Sequence, residues 1–325
     1  SINANMYLIF FYVNINIGDC MLVRLGYVAI STAIDVTSSS PYTYSEYLNK
    51  CNIDKLDDVI KSNLLGLEEI LKYNVKNNIH FYRMSSKIIP LATKDDVKFN
   101  YTTKYKKYYN RISKIINDNN LRVDFHPDQF CVLNSTNKDV VKNSIDILDY
   151  HYKLLNMMKI KDKVLILHVG SNVLGKNNSI KRFVNNFNKL PDYLKKCIVI
   201  ENDDKVFNVS DTLKISDMIN VPIVLDYHHY KCNKSDIDIE RIFKTWNIKP
   251  KLHFSSPKSK KNFRSHSDYI NSDDFIEFIE FIKKYNTDVD IMLETKMKDE
   301  ALFRLVRELK YKTNYNFIDD TSFEI

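Results

Sequence analysis

Residues 163–170 read KVLILHVG, residues 197–203 read CIVIEND and residues 222–229 read PIVLDYHH. Each is a short, unbroken apolar run that ends on a histidine or a carboxylate. Unbroken runs of this length suit parallel strands covered on both faces, whereas a half-exposed strand alternates. The pattern extends in both directions. Strands are predicted at 22–30, 80–86, 121–126, 164–169, 197–201, 222–227, 251–255 and 289–294. Helical periodicity fills the gaps between them. Leu64, Leu65, Leu67, Ile70, Leu71 and Val75 form one apolar stripe, with Ser62 or Asn63 placed to cap it. Phe275, Ile276, Phe278, Ile279 and Ile282 form another. Ser272 is its cap, Asp273 and Asp274 lie in its first turn, and Lys283 and Lys284 in its last, as the helix dipole favours. Strand–helix alternation repeated across residues 22–310 predicts an α/β fold, a single-domain (β/α)8 TIM barrel. An open doubly wound sheet satisfies the same alternation and stands as the alternative.

The 325 residues carry 48 Lys+Arg against 41 Asp+Glu, a net charge of +7. With 44% apolar and 27% charged residues, the composition is that of a globular protein with ample core. Only 5 glycines are present, which excludes collagen-like and glycine-linker architectures. Cys20, Cys51, Cys131, Cys197 and Cys232 include no C-x-x-C pair, arguing against a disulfide framework, a zinc ribbon or an iron–sulfur site. An intracellular, cytoplasmic location is expected. The sequence is rich in Lys, Asn, Ile and Tyr throughout, so an isoelectric point near 8.8 is only a mild pointer to a polyanionic partner. The apolar run at residues 6–13, MYLIFFYV, falls short of the roughly 20 residues that span a bilayer, and no Lys or Arg precedes it. Residues 1–20 are expected to be an N-terminal extension or tag outside the fold, 21–310 the barrel, and 311–325 a C-terminal tail.

The histidines and strand-end carboxylates fall in register. A barrel of this type builds its active site at the C-terminal ends of its strands. There the sequence places His126, His168, Glu201, Asp226 with His228 and His229, His253 with Lys251 two residues earlier, and Glu294. Any one of them alone is commonly a hydrogen-bonded structural residue. Six consecutive strands delivering such groups to one rim demand pairing or a metal to offset the desolvation. Imidazoles and carboxylates without a thiolate suit Zn²⁺, Mn²⁺ or Fe²⁺. The donors outnumber what one ion takes, which implies two or three ions sharing bridging carboxylates. Clustered divalent ions suit hydrolysis of a phosphodiester, because they neutralise phosphate oxygens and activate water. The H-x-H pair that many amidohydrolases carry on the first strand is absent from LVRLGYVAI, although sugar-processing metal barrels stay open as an alternative.

Two basic segments suggest nucleic acid. Residues 104–111, KYKKYYNR, interleave cations with tyrosines, and residues 258–264, KSKKNFR, follow the seventh strand on the active-site side. Cations bind phosphates and rings stack on bases, though the first segment equally suits a solvated helix face. Residues 170–176, GSNVLGK, match a phosphate-loop pattern, but Asn177 stands where Ser or Thr would hold Mg²⁺. A nucleotide-binding loop is therefore not expected. His80 and His151 are read as structural.

Taken in order, RLGYVAIS (24–31), FYRMSSKIIP (81–90), RVDFHPDQF (122–130), LILHVGS (165–171), IENDD (200–204), VLDYHH (224–229), PKLHFSS (250–256), SHSDYI (265–270) and MLETK (292–296) resemble the UV damage endonuclease family. That resemblance covers roughly residues 22–300. It implies a TIM barrel with a multinuclear site, usually Mn²⁺, with Zn²⁺ or Mg²⁺ as alternatives. It implies incision of damaged double-stranded DNA immediately 5′ to cyclobutane dimers and 6-4 photoproducts, leaving a 3′-hydroxyl. Carried over by motif, His126, His168, Glu201, Asp226, His229, His253, His266 and Glu294 are metal ligands. Glu201, Glu294 and Lys251 are catalytic, Lys251 matching a lysine that is carboxylated in that family. Gln129 and Phe130 match a pair that probes the duplex, Tyr27 resembles an aromatic lining the lesion pocket, and Lys258, Lys260, Lys261 and Arg264 are expected on DNA. His228 has no counterpart and is read as structural. A monomer without an obligate protein partner is expected. The alternatives are an abasic-site endonuclease of the same barrel type, a sugar-isomerase-like barrel, and a non-catalytic DNA-binding barrel.

Overall fold

The structure, a computed structural model, describes residues 20–50 and 52–325. The expected N-terminal extension therefore lies, apart from Cys20, outside the described residues. Strand β1 (Leu22–Val28) leads through α1 (Tyr44–Lys50) into the long α2 (Ile53–Lys76). Next come β2 (Phe81–Arg83), α3 (Tyr101–Lys104), α4 (Lys106–Asp118), β3 (Arg122–Asp124) and α5 (Lys138–Met157). Strand β4 (Leu165–His168) precedes α6 (Lys176–Asn188) and α7 (Asp192–Lys195), and β5 (Ile198–Glu201) precedes α8 (Val209–Ile219). Strand β6 (Ile223–Asp226) runs straight into α9 (Tyr227–Cys232) and then α10 (Ile239–Lys244). Then follow β7 (Lys251–Phe254), α11 (Ser272–Lys283), β8 (Val289–Leu293), α12 (Lys298–Lys312), β9 (Asn316–Phe317) and β10 (Ser322–Glu324).

The predicted strands all form, each trimmed at its ends. They pair in parallel in the order β3-β2-β1-β8-β7-β6-β5-β4. Between β3 and β4 the ring is joined by a parallel bridge of Phe125 to Leu165. Its bonds run from Phe125 N to Val164 O at 3.2 Å and from Ile166 N to Phe125 O at 3.0 Å. That bridge excludes the open sheet, and the molecule is a TIM barrel.

The barrel interior is layered by charge. At its N-terminal end Arg24 donates twice to Asp290, at 2.6 and 2.7 Å, and Arg122 donates to the same carboxylate at 2.8 Å. The Arg122 guanidinium also lies over Phe81 and Trp246, each 5.6 Å from the ring centre. Above this, Lys251 pairs with Asp124, both buried. On the opposite side Val164, Ile166, Val199 and Val224 pack together with Trp246 against them. Polar interior groups on one side and aliphatic ones on the other leave the mouth of the barrel for the ionisable cluster.

Three local expectations change. Helix α2 starts well before its apolar stripe, capped by Asn52, whose side chain accepts from Lys55 N. Ser62 and Asn63 are mid-helix, and Asn63 is fully buried, holding Ser40 and the carbonyl of Ile88. Helix α11 is capped by Asn271 rather than Ser272, which is its first residue. Residues 311–325, expected as a tail, form a β9–β10 hairpin whose second strand pairs antiparallel with β1, Val23 opposite Phe323. It occupies the half of β1 that β2 does not reach, since β2 pairs only with Gly26, Tyr27 and Val28. Phe323 is fully buried, with its ring stacked 5.0 Å from Tyr315. Phe323→Ala is expected to lower unfolding free energy by about 3–5 kcal/mol, read by urea denaturation, whereas a loose tail would lose nothing measurable.

Candidate metal centre

Short strands ending together bring the ionisable groups to one rim. Glu201 is the hub, and its carboxylate is buried. His126 Nε2 lies 2.8 Å and His168 Nε2 3.6 Å from Oε2, while His253 Nδ1 lies 2.7 Å from Oε1. His253 Nδ1 is also 3.3 Å from Glu294, and His266 Nδ1 is 3.8 Å from the other Glu294 oxygen. Two ligand groups result, each with its atoms within 4.8 Å of one another. One is His126, His168 and Glu201; the other is Glu201, Asp226, His253 and Glu294. Glu201 belongs to both.

Asp226 and His229 are placed by backbone geometry. Asp226 caps α9, its Oδ1 accepting from His229 N at 2.7 Å, which folds the His229 ring back over the mouth. Asn202 clamps β5 to β6 by accepting from Asp226 N at 2.9 Å and donating to Asp226 O at 3.0 Å. His229 Nδ1 donates to the Asn202 carbonyl at 3.0 Å, so Nε2 faces away from it. Fixing one ring nitrogen on a carbonyl is the usual device for presenting the other to a metal.

The donor set fits cations on two structural grounds. Asp226 Oδ2 and His168 Nδ1 are buried without a hydrogen-bond partner, a rarity unless something else satisfies them. The carboxylates of Glu201, Asp226 and Glu294 also crowd together, and of these three Arg83 bonds to Glu294. Burial opposes ionisation of Glu201, yet His253, His168 and the hydrogen bonds from His126 and His253 hold its carboxyl well below the usual carboxylate range. Burial opposes ionisation of Glu294 too, and Arg83 and His253 bring it down. Burial lowers His168 and His253, leaving neutral imidazoles with lone pairs. Burial lowers His229 as well, but Asp226, Glu201 and Glu294 outweigh it and raise the imidazole to about 9. Glu201, Glu294, His168 and His253 are thus held in the forms that ligate, whereas His229 would have to give up a proton to do so.

Arg83 and Asp124 were not singled out from sequence. Arg83 donates to Glu294 Oε1 and to His253 Nε2, both at 2.6 Å, and its Nε is 3.7 Å from Asp124. It is the counter-charge beneath the carboxylates, flanked by the Lys251–Asp124 pair. Burial pushes the Lys251 amine down to about 7. The signal was available: Arg83, Asp124 and Lys251 interrupt otherwise apolar strands at positions facing the interior.

Of the remaining expected residues, Gln129 and Phe130 lie exposed on the loop after β3, with Phe130 72% exposed. Lys258, Lys260, Lys261 and Arg264 are on the loop after β7, Arg264 reaching Asp204 at 3.5 Å. A groove of about 410 Å³ joins Gln129 to His168, Asp203, Asp204 and His229. Tyr27 does not reach this face: it is fully buried outside the barrel, its hydroxyl donating to Asn74 of α2 at 2.8 Å. As a β1 residue on the helix-facing side it cannot line a lesion pocket here. Residues 104–111 likewise form the solvated helix face, because Tyr105, Tyr108 and Tyr109 are buried while Lys104 pairs with Asp57 and Arg111 with Glu68. In the phosphate-loop look-alike, Lys176 pairs with Asp211. His228 is buried, 3.3 Å from the Arg264 carbonyl.

A TIM barrel whose mouth holds two groups of side chains that could each hold a metal ion, with one carboxylate in common, is consistent with a metal-dependent enzyme. Comparison narrows this to a family. The family model described as UV-endonuclease UvdE matches residues 23–323. UV DNA damage endonucleases of Bacillus cereus strain B4264 and Bacillus anthracis strain A0248 are each 40% identical over 301 residues, 89% of this chain and 95% of theirs. The crystal structure of SacUVDE is 34% identical, covers 89% of this chain and 98% of that one, and superposes with a TM-score of 0.82. Endonuclease IV from Thermus thermophilus, 12% identical over 76% of this chain and 93% of its own, shares the fold with a TM-score of 0.55. The chain belongs to the UV-endonuclease UvdE family and is an endonuclease.

Because Glu201 serves both ligand groups, Glu201→Gln is expected to abolish the Mn²⁺-induced rise in melting temperature, while His168→Ala should retain part of it. Calorimetric titration with Mn²⁺ reads the same difference in stoichiometry. A separate expectation concerns His151, buried in α5, which burial pushes down from 6.5 to about 4. Between these values the unfolded chain binds the extra proton, so stability is full above about pH 6.5 and falls as pH drops towards 4. The loss amounts to about 3 kcal/mol at most, and His151→Phe should flatten that limb in denaturation series run across this pH range.

Proposed function

We propose that this endonuclease hydrolyses double-stranded DNA at the phosphodiester immediately 5′ to cyclobutane dimers and 6-4 photoproducts, leaving a 3′-hydroxyl. The observation that carries the reading is the sharing of Glu201 between two ligand groups inside a family of ultraviolet-damage nucleases. His126, His168, Glu201, Asp226, His229, His253, His266 and Glu294 would hold two or three divalent ions, Mn²⁺ first and Zn²⁺ or Mg²⁺ otherwise. Bound there, such ions would neutralise the scissile phosphate, lower the pKa of water and stabilise the leaving oxygen.

The chain's own residues divide the rest of the work. Arg83 keeps Glu294 ionised and holds the His253 ring. Asn202 fixes His229. Phe130 is exposed and aromatic on a loop beside the mouth, suited to replace stacking lost when damaged nucleotides leave the helix, while Gln129 occupies the groove. Damaged pairs cost less to open, which gives a preference without base reading. Lys258, Lys260 and Lys261 would contact phosphates, with Arg264 shared between DNA and Asp204. Lys251 would act as a carbamate: its ammonium gives up one proton, and the resulting amine bonds to CO₂ and releases a second, leaving an anionic ligand. The enzyme would work as a monomer, in the cytoplasm with the DNA.

Nicking of supercoiled plasmid tests the assignment. Irradiated plasmid should be cut with Mn²⁺ and not with EDTA, untreated plasmid left intact, and Glu294→Gln inactive. Greater cutting of depurinated than irradiated plasmid would replace the lesion assignment with abasic sites. No cutting by metal-loaded, folded protein would overturn the nuclease mechanism. Replacing Lys258, Lys260 and Lys261 together with alanine should make the salt slope of log binding constant shallower by roughly 2–3.

A further inference from the structure

The loop after β4 carries a feature that the metal centre does not use. Val173 and Leu174 are exposed at its tip, 47% and 71% respectively. Leu174 also adopts φ +63°, a left-handed conformation that costs a side-chain-bearing residue energy. A strained leucine held out in water is not explained by packing. Nor is the tip slack. Gly175 N donates to Asn172 O at 3.2 Å, closing the turn. The Val173 carbonyl accepts from Ser179 at 3.1 Å and from Arg182 Nη2, and the Leu174 carbonyl accepts from Asn178 at 2.8 Å.

This turn is bolted to the loop that carries Gln129 and Phe130. Buried Asn134 donates to Ser171 O at 2.8 Å and accepts from Ser171 N at 2.9 Å. Arg182, which holds the tip, also donates to the Asn134 carbonyl at 2.9 Å. Gly170 allows the approach: at φ +109°, a Cβ there would lie 2.6 Å from Asn134 Oδ1 and 2.7 Å from Val132 Cγ1. The two loops are joined side by side by these bonds. Gly170 and Ser171, which lead into the turn, line the same groove as Gln129, His168 and His229.

We propose that Leu174, supported by Val173, is a second apolar wedge that presses on the DNA base stack beside the metal centre, in fixed geometry with Phe130. The inference rests on the DNA-incising function above. Apolar side chains set on a rigid rim unstack base steps and bend the duplex, and rigidity matters because a yielding wedge cannot do that work. The occupant is DNA rather than a protein because the loop that carries the turn lines the groove beside His168 and His229 through Gly170 and Ser171, and is bonded to the loop that carries the exposed Phe130. The glycines and Lys176 of GSNVLGK thus shape and anchor a turn.

Leu174→Asn is the informative change, since asparagine accepts the left-handed backbone and removes the wedge. Wild-type enzyme must first cut an ultraviolet-damaged duplex carrying 2-aminopurine next to the lesion; failure there indicts the proposed function and not the wedge. Given that activity, Leu174→Asn should lower kcat/KM on the duplex by roughly tenfold or more. It should also reduce the 2-aminopurine fluorescence rise on binding, with Mn²⁺ affinity and melting temperature unchanged, and Leu174→Met should restore both. Wild-type kcat/KM and fluorescence in Leu174→Asn would overturn the proposal, as would a loss that Leu174→Met fails to rescue.

Discussion

Everything at the mouth of this barrel depends on keeping the Glu201 carboxylate ionised where water does not reach it. A bare carboxylate in that position would take a proton rather than stay charged. Four imidazoles close on it, His126 and His168 through Oε2 and His253 and His229 through Oε1. The cost is a set of neighbours that are themselves only partly satisfied, above all Asp226 Oδ2 and His168 Nδ1. These unpartnered atoms are ones that cations could satisfy, and they lie at the mouth of the barrel.

That constraint propagates down the interior. Glu294 needs Arg83, Arg83 needs Asp124 and Glu294, and Asp124 also answers Lys251. Beneath lies the Arg24–Asp290–Arg122 cluster. Ion pairs in such surroundings contribute little net stability, but removing one partner strands the other. The column is best understood as a way of fixing the height and charge of the groups at the mouth, with stability coming from the apolar shell between barrel and helices. The C-terminal hairpin belongs to that shell, sealing the half of β1 that would otherwise present unpaired backbone.

Around the mouth the loops are cross-linked to their neighbours. The β3 and β4 loops share Asn134, and the β7 loop is tied back by the Arg264 carbonyl and Phe263 against His228. If these loops probe DNA as proposed, such cross-links would keep them from yielding before the duplex does.

The sequence by itself determined the strand–helix repeat, the eight strand positions and the presence at their ends of His126, His168, Glu201, Asp226, His253 and Glu294. These follow from local rules: apolar runs make buried strands, and an ionisable residue ending such a run must lie at a rim. Local rules failed where a contact spans the chain. The stripe of α2 gave no sign that Asn52 caps it or that Asn63 serves a distant loop. Residues 311–325 show no unbroken apolar run and read as a tail, because their partner strand lies at the opposite end of the barrel sequence. Tyr27 and the tyrosines of residues 104–111 looked available for bases, and only packing against α2 and neighbouring helices decided that they are core. Arg83 joined the centre for the same reason: closure of the ring, through Phe125 and Leu165, is what brings side chains from separate strands to hydrogen-bonding distance, and no residue near Arg83 in sequence records that closure.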